Sequence, residues 1–204
     1  MKKNKMIVFA GNVGAGKSTF TNIISNKIEF KPYYESVVDN PFLEDFYYNQ
    51  KRWSYHLQTY FLFHRFKSIK DIIDKEVNAV LDRSIYEDSE IFAKNLYMNN
   101  KMSKPEYDSY KQIFDTMLQY LKKPDLLIYI KTDVKTILKR INKRGRQMEI
   151  QTPIEYWEQL NDLYNNWIND YDQSPIYIVD GNEFDIIEKP KLVNDIVENI
   201  KTLI

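Results

Sequence analysis

Residues 11–19 read Gly-Asn-Val-Gly-Ala-Gly-Lys-Ser-Thr and follow directly on the apolar run MIVFA. No other stretch constrains the fold as tightly. It matches the pattern G-x-x-x-x-G-K-[ST]. The apolar run before it and the helical pattern after it (STFTNIISNKI) supply the strand, loop and helix that this pattern needs. The chain has 204 residues and only 5 glycines, and three of these, Gly11, Gly14 and Gly16, lie in the loop. Glycine is needed where backbone turns tightly or approaches a ligand closely. The backbone N–H groups of such a loop, with the positive end of the following helix, hold phosphate oxygens. The expected nucleotide-binding set is therefore Gly11, Asn12, Gly14, Ala15, Gly16, Lys17, Ser18 and Thr19. Lys17 is expected at the β- and γ-phosphates and the Ser18 hydroxyl on Mg²⁺.

Four further segments read as core strands: 31–37 (KPYYESV), 77–82 (VNAVLD), 124–130 (PDLLIYI) and 175–180 (PIYIVD). Helical patterns run between and after them, over 41–75, 85–121, 133–143, 153–171 and 188–203. Strands separated by helices predict a mostly parallel sheet covered on both faces, and the weak alternation within the strands agrees. The expectation is one α/β domain over 1–204, with five parallel strands, helices on both faces and a short arginine-rich lid at 142–150.

Lys plus Arg equals Asp plus Glu at 29 each, so no basic field points to a nucleic-acid partner. The chain has no cysteine, which excludes disulfides and thiolate metal sites and fits the cytoplasm. The apolar run before Gly11 is too short for a signal-peptide core, and no run approaches a membrane span. A soluble intracellular domain is expected.

A phosphate loop can serve a switch, a motor or a transfer reaction. A GTPase needs an N-K-x-D segment to read guanine, and NKIE (26–29) and NKRG (142–145) do not fit it. A small kinase needs a base at the acceptor hydroxyl, cations at the transferred phosphoryl group and exclusion of water. Glu35 falls near the end of the second strand, on the edge where such sheets bind ligands. Asp82, Arg83 and Ser84 end the third strand. Between them, an aromatic helix carries Tyr47, Trp53, Gln58 and Arg65. Gln58 and Arg65 are seven residues apart, on one helix face at about 10 Å.

Together these segments resemble the deoxynucleoside kinase family, from the phosphate loop to at least residue 185. The resemblance is carried by NPFLEDFY (40–47), W-x₄-Q-T-Y-x₄-R from Trp53, D-R-S-x-Y-x-D from Asp82, IFAKNLY (91–97), RGRQME (144–149) and PIEYWEQL (153–160). It implies ATP- and Mg²⁺-dependent phosphorylation of a deoxynucleoside 5′-hydroxyl. Deoxyadenosine is favoured, with deoxyguanosine or a broad base range as alternatives. A nucleoside monophosphate kinase is the next enzyme reading, although Glu35 would repel an acceptor phosphate. A nucleotide-dependent switch is a reading of another class.

By the resemblance, Glu35 is the base, with Arg83 orienting it and Lys17 completing the catalytic set. Asp82, where many relatives carry Glu, lies near Mg²⁺ with Ser18. Tyr47 and Glu149 hold the sugar 3′-hydroxyl. Gln58 reads the base edge, flanked by Arg65 and Asp88, and Trp53 and Phe92 form walls. Arg140, Arg144 and Arg146 fold over the donor phosphates, and Asp180, Asn182, Glu183 and Phe184 touch the donor's adenine. The resemblance also implies a homodimer. Its interface is expected on the helices 41–75 and 85–121, including Phe92, Leu96, Ile113, Phe114 and Leu118.

Overall fold

In MIVFA, Met6, Val8 and Ala10 point into one hydrophobic cluster and Ile7 and Phe9 into another, and all five are buried. A strand buried on both faces belongs in the middle of a parallel sheet. The computed structural model, which describes residues 4–35, 40–182 and 190–204, places it there. The elements in chain order are β1 (Met6–Ala10), α1 (Lys17–Ile28), β2 (Lys31–Tyr33), α2 (Leu43–Tyr48), α3 (Gln50–Asp74), β3 (Ala79–Asp82), α4 (Ile85–Glu87) and α5 (Lys94–Met98). Residues Asp88–Ala93 wind as a π-helix between the last two. Then follow α6 (Lys104–Leu118), β4 (Leu126–Lys131), α7 (Val134–Arg144), α8 (Gln147–Ile150), α9 (Ile154–Asp170), β5 (Ile176–Asp180) and α10 (Pro190–Leu203).

The strands form one parallel sheet in the order β2-β3-β1-β4-β5, with Phe9 opposite Asp82 and Ile128. The sheet and its helices on both faces are as the sequence predicts. One face packs on α3, α6, α7, α9 and the segment 85–98, and the other on α1 and α10. The carboxyl ends of β1 and β3 lie side by side, which sets Gly11 beside Arg83.

Several boundaries differ from expectation. Strand 31–37 ends at Tyr33, so Glu35 lies beyond the sheet edge rather than within the strand. The helix expected over 41–75 breaks at Asn49, whose extended backbone (φ −145°) and side chain cap α3 by accepting from Arg52 N. The helix expected over 85–121 breaks between Met98 and Lys104. There Ser103 and Glu106 form a capping box, each taking the other's backbone N–H. Of the residues expected at a dimer interface, Phe92, Leu96 and Phe114 are buried in the chain's own core, and Ile113 and Leu118 pack against it. The first three are turned inward, whereas Ile113 and Leu118 stay partly exposed.

Candidate active site

The loop from Gly11 to Gly16 needs left-handed backbone at two points, Gly14 (φ 81°) and Gly16 (φ 102°), the second being the N-cap of α1. A side chain at Gly16 would be strained by its backbone, and one at Gly14 would also press on Ile137 O at 3.1 Å. Lys17 folds back over this loop and donates to Gly11 O (2.9 Å) and Asn12 O (3.0 Å). Burial, with help from Arg83, lowers its ammonium pKa to about 8 against the pull of Asp82, Glu87 and Glu35. Ser18 Oγ donates to Asp82 Oδ2 at 2.5 Å, joining the two expected metal ligands. Thr19 is exposed on α1. Asn12 is buried, and its side chain reaches α9, donating to Trp157 O and Asn161 Oδ1.

A cavity of about 310 Å³ opens beside the loop. It brings together Lys17, Ser18, Glu35, Tyr47, Gln58, Asp82, Arg83, Asp88, Phe92, Arg144, Arg146 and Glu149 from widely separated segments. Arg65 is the buried hub behind it. Its guanidinium donates to Glu35 Oε1 (3.0 Å), Asp88 Oδ2 (3.2 Å) and Asp82 O (2.7 Å). Arg83, held at φ 78°, sets its Nε 3.4 Å from Glu35 Oε1 and lies over the Phe92 ring at 4.2 Å.

Burial alone would raise the Glu35 carboxyl pKa, but Arg83, Arg65 and Lys17 outweigh it and hold Glu35 ionised. Asp88 goes the other way. Its burial outweighs the attraction of Arg65 and pushes it up to about 6. The two carboxylates on one arginine therefore titrate apart. Burial raises the Tyr47 phenol well above its usual value, and Tyr156 and Glu149 add to this, so Tyr47 is a neutral donor.

At the lid, Glu149 is buried and pairs with both Arg144 and Arg146, the latter at 3.2 Å. Arg140 donates to Ala15 O (3.0 Å) and Gly181 O (2.7 Å), joining the phosphate loop to the end of β5. Asp180 accepts from Asn182 N, and Asn182 accepts from Asp133 N, both at 2.8 Å. Trp53 is not brought to the cavity. It stacks on Phe42 (5.8 Å between centroids), with Arg52 over its ring, and packs half-buried against the core. Glu183 and Phe184 lie outside the described residues.

The sequence reading passed over Glu87, which is fully buried. Its Oε1 accepts from Gly11 N (3.2 Å) and from the Tyr164 hydroxyl (2.8 Å), and its Oε2 accepts from Ser84 N (2.7 Å). The spacing Ser84-x-x-Glu87 is a legible capping-box signal. The bond to Gly11 is not legible, because it depends on β1 and β3 being neighbours.

The family profile described as deoxynucleoside kinase matches residues 7–204. A deoxyadenosine/deoxycytidine kinase of Bacillus subtilis is 42% identical over 204 residues, covering 99% of this chain and 94% of the relative. A deoxyguanosine kinase of Lactobacillus acidophilus is 39% identical, covering 96% and 91%. A solved structure of deoxyadenosine kinase from M. mycoides with bound dCTP superposes with a TM-score of 0.84 at 32% identity. It covers 95% of this chain and 99% of that one.

Proposed function

Because the chain belongs to the deoxynucleoside kinase family, we propose that it transfers the γ-phosphoryl group of ATP to the 5′-hydroxyl of a deoxynucleoside, with 2′-deoxyadenosine preferred. The observation that carries this reading is the Glu35 carboxylate, which lines the same cavity as Lys17 and Ser18 and is kept ionised by two arginines. As the 5′-oxygen attacks the γ-phosphorus, its proton passes to a Glu35 oxygen and ADP leaves. Arg83 stays close to both partners, and the lid cations Arg144 and Arg146 balance charge on the moving phosphoryl group.

The residues at the loop fit Mg²⁺. Ser18 and Asp82 are oxygen donors in contact, and Asp82 Oδ1 is buried without a hydrogen-bond partner among the described residues. Magnesium keeps several waters and takes only one or two carboxylates beside substrate phosphates, so no larger acidic cluster is required. Bound there, the ion would neutralise charge on the donor phosphates.

Gln58, buried in the cavity wall, is placed to read a base edge. Its amide accepts through oxygen and donates through nitrogen, and by turning about its last torsion it complements adenine, cytosine or guanine. The preference for deoxyadenosine is supported by the likeness to the deoxyadenosine/deoxycytidine kinase and to the deoxyadenosine kinase structure. A panel of the four deoxynucleosides with ATP and Mg²⁺, read as 5′-monophosphate formed, tests this. Deoxyadenosine should lead, and a deoxyguanosine-first ranking would overturn the base assignment.

We infer that the enzyme works in the cytoplasm, where ATP is available. Among the described residues no helix is long and apolar enough to cross a membrane. A homodimer is supported by a surface groove of about 590 Å³ between α6, α9 and the 86–98 segment, which includes the exposed Met98 beside Trp167 and Leu163. Sedimentation at micromolar concentration distinguishes a dimer from a 24.6 kDa monomer.

A further inference from the structure

We propose that Glu87 is a positioning residue that fixes the donor half of the site against the acceptor half. The inference rests on the kinase reading above. The donor half begins at Gly11, where β1 ends, and the acceptor half turns at Arg83, where β3 ends. Phe9 and Asp82 pair between those strands, and Arg83 N donates to Phe9 O at 2.9 Å. Beyond that point the sheet ladder stops, and both chains depart into non-strand backbone: Gly11 at φ 153° and Arg83 at φ 78°. Arg83 is a non-glycine residue in the left-handed region, a conformation that persists only where its surroundings hold it.

The Glu87 carboxylate takes over where the ladder ends. One oxygen holds Gly11 N and the other holds Ser84 N, the residue after Arg83. A single rigid group thus spans the two departing chains, and Tyr164 on α9 fixes that group from behind. Ser84 Oγ accepts from Glu87 N at 3.2 Å and completes the clamp. Glu87 does not line the substrate cavity, so it acts through Gly11 and Arg83 rather than on the reacting atoms. Both oxygens face N–H donors, and only a carboxylate satisfies that arrangement. An amide would set its own N–H₂ against one of them.

The test is Glu87→Gln, nearly isosteric, assayed well below its melting temperature. Misplacement of catalytic groups by about 1 Å costs on the order of 10²-fold, so kcat should fall roughly 10- to 100-fold. Titration calorimetry of ATP alone and of deoxyadenosine alone should show each affinity within about twofold of the parent, because each half-site remains whole. Ser84→Ala, a milder cut in the same clamp, should give the same split with about a 3- to 10-fold loss in kcat. It keeps the test decisive should Glu87→Gln not fold. Tyr164→Phe removes the bond that fixes this carboxylate from behind while leaving both chains bound to it, and should give the same split with about a 2- to 5-fold loss in kcat. Full turnover by Glu87→Gln, or by Ser84→Ala where only that variant folds, would overturn the proposal. A kcat loss in Glu87→Gln matched by equal losses in ATP and deoxyadenosine affinity would also overturn it, since softening of the core would then explain the effect. A parent protein that transfers no phosphate overturns the kinase reading, and the proposal with it. An active parent beside an unimpaired Glu87→Gln overturns the proposal alone.

Discussion

Arg65 meets Glu35 at 3.0 Å, Nη2 against Oε1, while its Nε reaches Asp88 at 3.2 Å. One buried cation therefore joins the carboxylate proposed as base to the carboxylate proposed beside the nucleobase. Removing it strands two carboxylates in a low-dielectric site. Breaking a buried pair in this way costs about 3–5 kcal/mol. Arg65→Met should lower unfolding stability by that amount in urea titration and abolish turnover. Arg65→Lys keeps the charge but cannot span three acceptors with one ammonium. It should retain most of the stability and still lose turnover. Full activity in Arg65→Lys would contradict the bridging role.

The two carboxylates should also separate in their pH dependence. Asp88 is raised to about 6, so it protonates as pH falls through that value, while Glu35 is held below its usual range and stays ionised. The deoxynucleoside KM should therefore rise below pH 6, by at most about tenfold per unit, with kcat falling only at lower pH. The stability sign is opposite. A carboxyl whose folded pKa is raised favours the folded state below its unfolded value of about 3.9 and loses that contribution as pH rises through 6. Initial rates from pH 5 to 8 check the first statement. A kcat that collapses at pH 6 with KM unchanged would exchange the two roles.

Tyr47 and Glu149 line one side of the cavity, Tyr47 as a neutral phenol and Glu149 fixed by Arg144 and Arg146. If they hold the sugar 3′-hydroxyl, a ribose would bring its 2′-hydroxyl against the Tyr47 ring. A buried, unpaired hydroxyl costs about 1–3 kcal/mol, or roughly a 5- to 150-fold preference for deoxyribose. Tyr47→Phe should then impair 2′-deoxyadenosine more than a 2′,3′-dideoxy analogue, which lacks the hydroxyl being held. Equal losses on both would make Tyr47 only a wall of the pocket.

Much of this arrangement is legible in the sequence, for identifiable reasons. MIVFA and LLIYI are apolar on both faces because both faces are covered, and three loop glycines mark where backbone must turn. Asn49 and Ser103-x-x-Glu106 are cap signals inside helical patterns, so the breaks at 49 and 99–103 are readable once propensity yields to capping. The end of β2 at Tyr33 is less visible, because Tyr34 and the pair Val37-Val38 keep strand-forming residues in the sequence beyond it. Trp53 illustrates the limit of a pattern. Its spacing to Gln58 fits one helix and it shares a face with Leu57, which lines the cavity, yet it lies one turn further along and is taken up by stacking on Phe42. Glu87 and the π-turn after it depend on which strand ends become neighbours, and local sequence does not encode that.

Gly181 offers a test of the donor side. A Cβ there would come within 2.1 Å of Thr132 Oγ1 and 2.8 Å of Ile130 Cγ2. Gly181 N donates to Lys131 O, and its carbonyl accepts from Arg140, which also holds Ala15 O. Gly181→Ala should cost about 1–3 kcal/mol, as overpacking does, and raise the KM for ATP with the deoxynucleoside KM unchanged. A variant with full stability and ordinary ATP affinity would contradict the anchoring of the phosphate loop through Arg140.

The central claim is that phosphate passes from ATP to a 5′-oxygen whose proton Glu35 accepts. The most direct measurement follows label from γ-³²P-ATP into 2′-deoxyadenosine and locates it on the product. The account predicts labelled 5′-monophosphate and no transfer to 2′,5′-dideoxyadenosine. It also predicts a rate lowered by about 10²- to 10⁴-fold in a folded Glu35→Gln variant. Label on the 3′-oxygen, label released only as inorganic phosphate, or near-parental transfer by Glu35→Gln would contradict it.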